Sequence, residues 1–424
     1  MINILRRPEE HGIKKIFSPF LLLLIVFISY SPFTYSQGGI QVDTETARAV
    51  ARNYCLRTDT KFASVAATDL ILSLVETRTK DKNVLYYIFN INKEDGFIVI
   101  SANKDNPPVL CFVPQGTYSK YPELRPPAFN EWLEAFADQI EYSIKNPTKS
   151  TKYQELWNKY NSKGAWDLEA MKLKMNSLWD QIAYFNYYSP KTNINGHPNS
   201  GSINASRAPT GCVATAMGQI MYYYKWPVNG VDSHSYTDPV NDITNTNSKC
   251  SLDDPSYGTL GFFNHNNTYN YGAMVDIPSS VNTEISKLLY NCGVSVNMDF
   301  AYCQSWTNTY QVPDAIKTYF NYSTEASYIL RADHPFDWES IIIDQIHKER
   351  PVQYRGQATV GSVGHSWICS GYQTVEGATQ FFFNFGWGGY ANGYYTLPEL
   401  SDVRGADLTY QNAAVINIFP TSQP

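Results

Sequence analysis

Little in this chain is charged, and less of it is cysteine. Asp, Glu, Lys and Arg make up 17% of the 424 residues, and 33 basic against 39 acidic side chains leave a net charge of −6 with no basic stripe. A polyanion would find nothing to hold, which excludes nucleic acid as a partner. There is no CxxC or CxxH pair, and the seven histidines, His11, His197, His234, His265, His334, His347 and His365, stand singly. A zinc site therefore has no support, and no metal or organic cofactor is expected. Cysteine is absent before Cys55, so no residue could carry a lipid anchor near the N-terminus. The apolar stretch from Phe20 to Ile28 is too short to span a bilayer comfortably, an uncleaved N-terminal anchor being the lesser reading, and no internal repeat is evident.

What is plentiful is aromatic: 15% of residues, with 32 Tyr, a composition that suits an extracellular protein better than a disordered one. The chain opens with Arg6, Arg7, Lys14 and Lys15, then FLLLLIVFIS, then small residues around Ser31 to Ser36. This order predicts a secretory signal over residues 1–36, membrane contact only in transit, and a secreted or periplasmic product. Seven cysteines, Cys55, Cys111, Cys212, Cys250, Cys292, Cys303 and Cys369, are an odd number for an oxidising compartment. At least one thiol has no intramolecular partner.

Two folding units follow from the length. In the first, DTETARAVARNYC predicts a short helix, LYYIFNIN-KEDG-FIVISAN a hairpin, and AFNEWLEAFADQIEYSIKNP an amphipathic helix bounded by Pro147 that docks on that hairpin. The polar stretch TKSTKYQELWNKYNSKGAWDLEAMKLK, studded with Lys149, Lys152, Lys159, Lys163, Lys172 and Lys174, reads either as a linker open to proteolysis or as a solvated helix. Beyond about residue 175 helices are expected at 212–226, in EISKLLYNCG and in WESIIIDQIHKE, with strands near the end. Helices first and strands last make an α+β unit. The stretch 230–285 is loop-like.

In APTGCVATAMGQIMYYYKWP, Cys212 opens a helix capped by Thr210 or Gly211, with Val213, Ala216 or Met217, and Ile220 on one buried face. A thiol in a first turn meets unsatisfied N–H groups and the positive end of the helix dipole, which favours the thiolate. Filling, or half of a disulfide, is the ordinary fate of a cysteine; the company Cys212 keeps argues otherwise. A thiolate nucleophile needs an imidazole, first as ion-pair partner and then as proton donor. His365, in SVGHSWICSGY, follows two small residues on a strand. Asn384 is an amide in the aromatic run TQFFFNFGWGG, and pairing of the two strands through QTVEGAT would bring it beside His365 to fix the ring tautomer. Trp387 would shield that bond from water. Gln181 on spacing alone reads as a surface amide; paired with the Cys212 N–H it would supply a two-donor oxyanion hole.

GCVATAMGQIM, VGHSWICSGY and FNFGWGGYANGYYTL, in that order, resemble the streptopain family of papain-like cysteine proteases, secreted and made as zymogens. The resemblance spans roughly 175–420 and, less sharply, the preceding module. It implies a papain-like α+β fold, with a helical part carrying the nucleophile and an antiparallel sheet carrying the histidine, behind a small α+β propeptide. The implied division is signal 1–36, inhibitory propeptide and cleavable linker 37–165, and catalytic domain 166–424. By resemblance Cys212 is the nucleophile, His365 the acid/base and Gln181 the oxyanion donor, with Asn384 and Trp387 supporting the histidine. Polypeptides are the implied substrates and the chain's own propeptide its intramolecular inhibitor. Phe385 stands where the family often has tryptophan, and GSVGHS is less glycine-rich than usual. With the module removed, Cys250, Cys292, Cys303 and Cys369 could form two bridges or remain buried thiols. A cysteine acyltransferase would use the same Cys-His-Asn set, and an aromatic, Asn-rich adhesion protein would need none of it.

Overall fold

The computed structural model describes residues 40–162, 164–191, 207–239, 256–262, 268–301, 304–357, 364–398 and 412–422. The chain divides into two units, Met1–Gly38, outside the described residues, and Gly39–Pro424. The segment read as a signal, Cys250 and Cys303, and most of 240–267 also lie outside them.

The N-terminal elements follow their patterns. Helix α1 (Thr44–Thr58) is capped by the Asp43 carboxylate, which accepts from the Thr46 N–H at 2.7 Å. Strand β1 (Leu72–Lys80) pairs with β2 (Asn83–Ile91), and β2 pairs with β3 (Phe97–Ser101) through Tyr86↔Ser101 and Phe89↔Ile98, the expected hairpin. β4 (Val109–Val113) lies beside β3. Helix α2 (Pro127–Lys145) turns Phe129, Leu133, Phe136 and Ile140 inward, the i, i+4, i+7, i+11 stripe of a helix with one apolar face. The lysine-rich stretch is not a bare linker. It contains helix α3 (Thr151–Tyr160), which buries Tyr153, Leu156, Trp157 and Tyr160 while its lysines face out, and strand β5 (Leu168–Lys172).

In the C-terminal part, α4 (Cys212–Tyr224) packs against α5 (Thr283–Ser295), followed by α6 (Val312–Phe320) and α7 (Trp338–His347). The later strands are a short β6/β7 hairpin (His234–Thr237 with Thr259–Phe262), β8 (Ser327–Leu330), β9 (Val352–Gly356), β10 (His365–Val375), β11 (Ala378–Asn384), β12 (Gly393–Tyr395) and β13 (Ala413–Ile416). Both parts contribute to one antiparallel sheet of order β1-β2-β3-β4-β12-β11-β10-β9-β13-β8. The seam is β4 with β12, through Phe112↔Tyr394 and Cys111↔Tyr395. Long strand β10 is shared on its second side: β9 pairs with His365 to Cys369, and β5 with Gly371 to Val375.

Burial follows the same seam. One apolar core joins Ile88, Val99 and Phe136 to Phe383, Tyr395, Met217 and Ile346, and a second fills the space between α1, α3 and the outer face of β2–β4. Cys292 and Cys369 are free and buried, as are Cys55 and Cys111. Of the two fates left open for these cysteines, the buried thiol is the one found for Cys292 and Cys369, which apolar packing accounts for. Among the described residues no helix is long and apolar enough to cross a membrane.

Candidate active site

Cys212 is the first residue of α4, and the turn before it has little freedom. Gly211 caps the helix at φ 84°, a conformation that favours glycine, and a Cβ there would also displace the end of the Met298 side chain. Thr215 closes the turn, its N–H and Oγ1 both reaching the Gly211 carbonyl at 3.0 Å. Pro209 is held through its carbonyl by Ser305 Oγ at 2.6 Å. Gln181 enters the same corner, because Thr210 N–H donates to the Gln181 carbonyl at 2.8 Å. Residue 181 is thus tied two positions ahead of the cysteine, although the two are far apart in sequence.

Strand β10 arrives from the other side. Gln353 on β9 donates to the Val213 carbonyl at 3.2 Å and to Ser366 Oγ at 3.0 Å, tying the first turn of α4 to the start of β10. The main-chain N–H groups of Ser366, Val213 and Cys212 itself favour a negative charge on the Cys212 sulfur. It therefore sits one residue along the strand from His365.

The imidazole is buried, 7% exposed, and stacks on Trp387 with ring centres 4.4 Å apart and planes at 19°. Its Nε2 donates to the Phe385 carbonyl at 2.8 Å. That leaves Nδ1 as the nitrogen available for a proton.

Asn384 is placed differently from the expectation. β10 and β11 do pair, but Asn384 lies across from Ile368 and turns away from His365. Its Nδ2 donates to the Ser177 carbonyl at 2.8 Å and to Gln219 Oε1 at 3.1 Å, while Oδ1 accepts from the Gly386 N–H at 3.1 Å. Ser177 Oγ completes the cluster by donating to Gln219 Oε1 at 2.8 Å. The amide thus holds the turn that carries both Phe385 and Trp387. Gly386, at φ 72°, lets that turn approach Thr215 of α4 closely. Sequence reasoning passed over the Phe385 carbonyl, a main-chain acceptor with no side-chain signal. It also missed Gln219, seven residues after Cys212 and so on the same face of α4.

Burial sets the electrostatics. It pushes the Cys212 thiol up from its ordinary value, against the main-chain N–H groups and Arg355, which pull it down. It holds His365 down at about 4, opposed by the bond to Phe385. The helix dipole was expected to make a thiolate; desolvation outweighs it here, because neither charge has water around it. Both groups are neutral at pH 7.

Helix α2 lies against this end of the sheet. Trp132 meets Tyr395 edge-on at 4.9 Å, and Glu131, Trp132 and Ala135 line a pocket with Gly356, Trp367, Leu397 and Pro398, beside His365. Among the described residues no group of three His, Cys, Asp or Glu is arranged to hold a metal ion.

A model of the Peptidase C10 family matches residues 179–395, half of the chain. The chain belongs to the Peptidase C10 family. Ahead of the C10 region, a model of the Spi protease inhibitor matches residues 39–140. The C10 chain is 26% identical to streptopain of Streptococcus pyogenes over 362 residues, covering 80% of itself and 81% of that protein. It is 29% identical over 391 residues to the thiol protease/hemagglutinin PrtT of Porphyromonas gingivalis, covering 90% of itself but spanning only 40% of PrtT. A Prevotella intermedia prointerpain A fragment has the same fold, with a TM-score of 0.63 at 23% identity over 83% of this chain and all of that one. Membership makes this a C10 cysteine peptidase with a Spi inhibitor module ahead of the peptidase region, in keeping with synthesis as a zymogen.

Proposed function

We propose that the chain is a secreted endopeptidase proenzyme in which Cys212 is the nucleophile and His365 the general acid/base. The observation that carries this reading is the sulfur beside the Ser366 N–H, adjacent to a buried imidazole whose Nε2 is already committed to the Phe385 carbonyl. When the site opens to water, the charged pair is no longer penalised, and the Cys212 proton passes to His365 Nδ1. The thiolate attacks a peptide carbonyl carbon, and the electron pair moves to oxygen. The N–H of Cys212 and the side-chain amide of Gln181 hold that oxyanion. His365 then returns its proton to the leaving amine as the C–N bond breaks, giving a thioester. Water, deprotonated by His365, attacks the thioester and releases the acid and the thiol.

Trp387 stabilises the ring position by stacking, and Asn384 acts through the 385–387 turn. The signal is residues 1–36, the inhibitory module and linker run to about 165, and the peptidase domain follows. The module inhibits by keeping α2 against the His365 end of the sheet, where both reactive groups stay neutral.

Cys212→Ala in the full proenzyme is the test. The expected result is loss of casein hydrolysis and of self-conversion to a smaller form, with unchanged thermal unfolding. A variant that digests casein as the parent does removes Cys212 from the role.

A further inference from the structure

The first turn of α4 meets β9 on one face of the sheet, and that face carries a fixed charge. Gln353 reaches the Val213 carbonyl and Ser366 Oγ, so the side of β9 that Gln353 occupies is the side toward the nucleophile. Side chains two positions apart on a strand share a face, which puts Arg355 on that same side and nearer the His365 end. Arg355 lies across from Ser366, as Gly356 does from His365, and cross-strand neighbours stand about 5 Å apart. The side chain is half-buried. Its Nη2 donates to Gln357 Oε1 at 2.8 Å, and the guanidinium also hydrogen-bonds the Tyr328 hydroxyl. A Cβ built on Gly364, the residue before His365, would stand 3.5 Å from Nη2. The guanidinium thus runs alongside the main chain that leads into the imidazole, and its charge is felt at the Cys212 sulfur.

All of these residues lie within the peptidase region, 179–395, so the arrangement takes nothing from the Spi module. Arginine keeps its charge throughout the working range of a protein. With five N–H donors it can hold a carboxylate beside the acceptors it already has. A peptide attacked by Cys212 has to run past it on one side of the bond being cut, each residue advancing about 3.3 Å. A side chain one or two residues from that bond therefore comes within range. An Asp or Glu there gains a planar, charge-assisted partner; Gln gains a weaker one, and Lys is repelled.

We propose that Arg355 is a specificity-determining residue, which makes this peptidase favour polypeptides with an acidic side chain within two residues of the scissile bond. The proposal rests on Cys212 as the nucleophile. The bond chemistry is unchanged; Arg355 alters how firmly the chain is held while the thioester forms. Because the same charge favours the thiolate whatever the substrate, selection shows as a ratio between substrates and not as an absolute rate.

The test uses enzyme activated from the full chain and peptides of one sequence in which Glu, Gln or Lys stands in turn at each of three positions on either side of the cut bond, with products located by mass spectrometry. At a position within two residues of that bond, kcat/KM for Glu is expected to exceed that for Gln about tenfold, and that for Lys by more. Raising the salt to about 1 M should shrink the preference. Arg355→Gln should bring the Glu-to-Gln ratio to about one, and Arg355→Glu should turn the preference toward Lys. Equal rates for Glu and Gln at every position, a preference confined to the outermost positions or indifferent to salt, or an Arg355→Gln enzyme that slows all the peptides alike and keeps the ratio each overturns the proposal. Should neither variant fold, the position and salt dependence of the parent's preference decide it. Cutting of the peptides by Cys212→Ala as by the parent would instead remove the nucleophile assignment beneath it.

Discussion

The Spi module grips the peptidase region differently at the two ends of β10. At the His365 end the contact is aromatic and apolar: Phe129 and Trp132 of α2 against Tyr390 and Tyr395, the latter packed on Phe385. At the Val375 end it is polar. Tyr54 of α1 donates to Gln380 and accepts from Gln373 at 2.7 Å, and Gln380 goes on to the Val109 carbonyl at 3.2 Å. All three side chains are buried. An apolar contact is non-directional and weakens gradually as it is wetted, whereas a buried polar network leaves orphaned groups once any member departs. The end that covers the chemistry can therefore loosen by degrees, while the Val375 end is held in one arrangement.

That contrast can be broken at four points. The largest effect is expected from acid. His365 has an ordinary value of 6.5 but about 4 in the proenzyme, so the unfolded chain binds the proton more readily. The stabilisation is complete above about 6.5 and is lost as pH falls toward 4, about 3 kcal/mol in all. Urea unfolding at pH 7 and pH 4 should show the parent losing about that much more than His365→Gln. Next, Trp132→Ala should cost about 2 kcal/mol of stability, because the ring is only partly buried. It should also raise hydrolysis of a small peptide by uncut proenzyme carrying a linker shielded from cleavage. Tyr54→Phe should cost about 1 kcal/mol by leaving Gln373 and Gln380 short of a partner, with no gain in peptide hydrolysis. The smallest effect belongs to Lys159→Ala: its ion pair with Glu376, 3.4 Å long and 44% exposed at the lysine, should be worth about 0.3 kcal/mol. Equal gains in hydrolysis from Trp132→Ala and Tyr54→Phe would show that the two ends do not differ.

Where one residue type at one spacing had one explanation, the sequence was easy to read. α1, α2, α4, α5 and α7 and the β2/β3 hairpin follow from apolar periodicity and turn residues, and the α+β class follows from their order. β5 was hidden because LEAMK has no alternating pattern: it lies exposed on one edge of β10, and its pairing, not its side chains, makes it a strand. α3 was left ambiguous because its charges were more conspicuous than its four buried residues. Cys212 and His365 stood out from their own surroundings in the sequence, whereas Gln181 was legible only through the family resemblance, since on spacing alone it reads as a surface amide. The role of Asn384 was legible only as a buried amide in need of partners. Which partners it found depended on Ser177 and Gln219, and nothing local announces them. The hydrogen bond to Phe385 was invisible for a simpler reason, since every residue has a carbonyl.

Finally, the pairing of Cys111 with Tyr395 has a bearing on how the molecule is made. If activation removes the Spi module, as the proposed function has it, the peptidase part is left with a raw β-edge at Gly393–Tyr395 and without the strands it was cast against. An enzyme left in that condition would have no template to refold on, and its working lifetime would then be set by how slowly it comes apart.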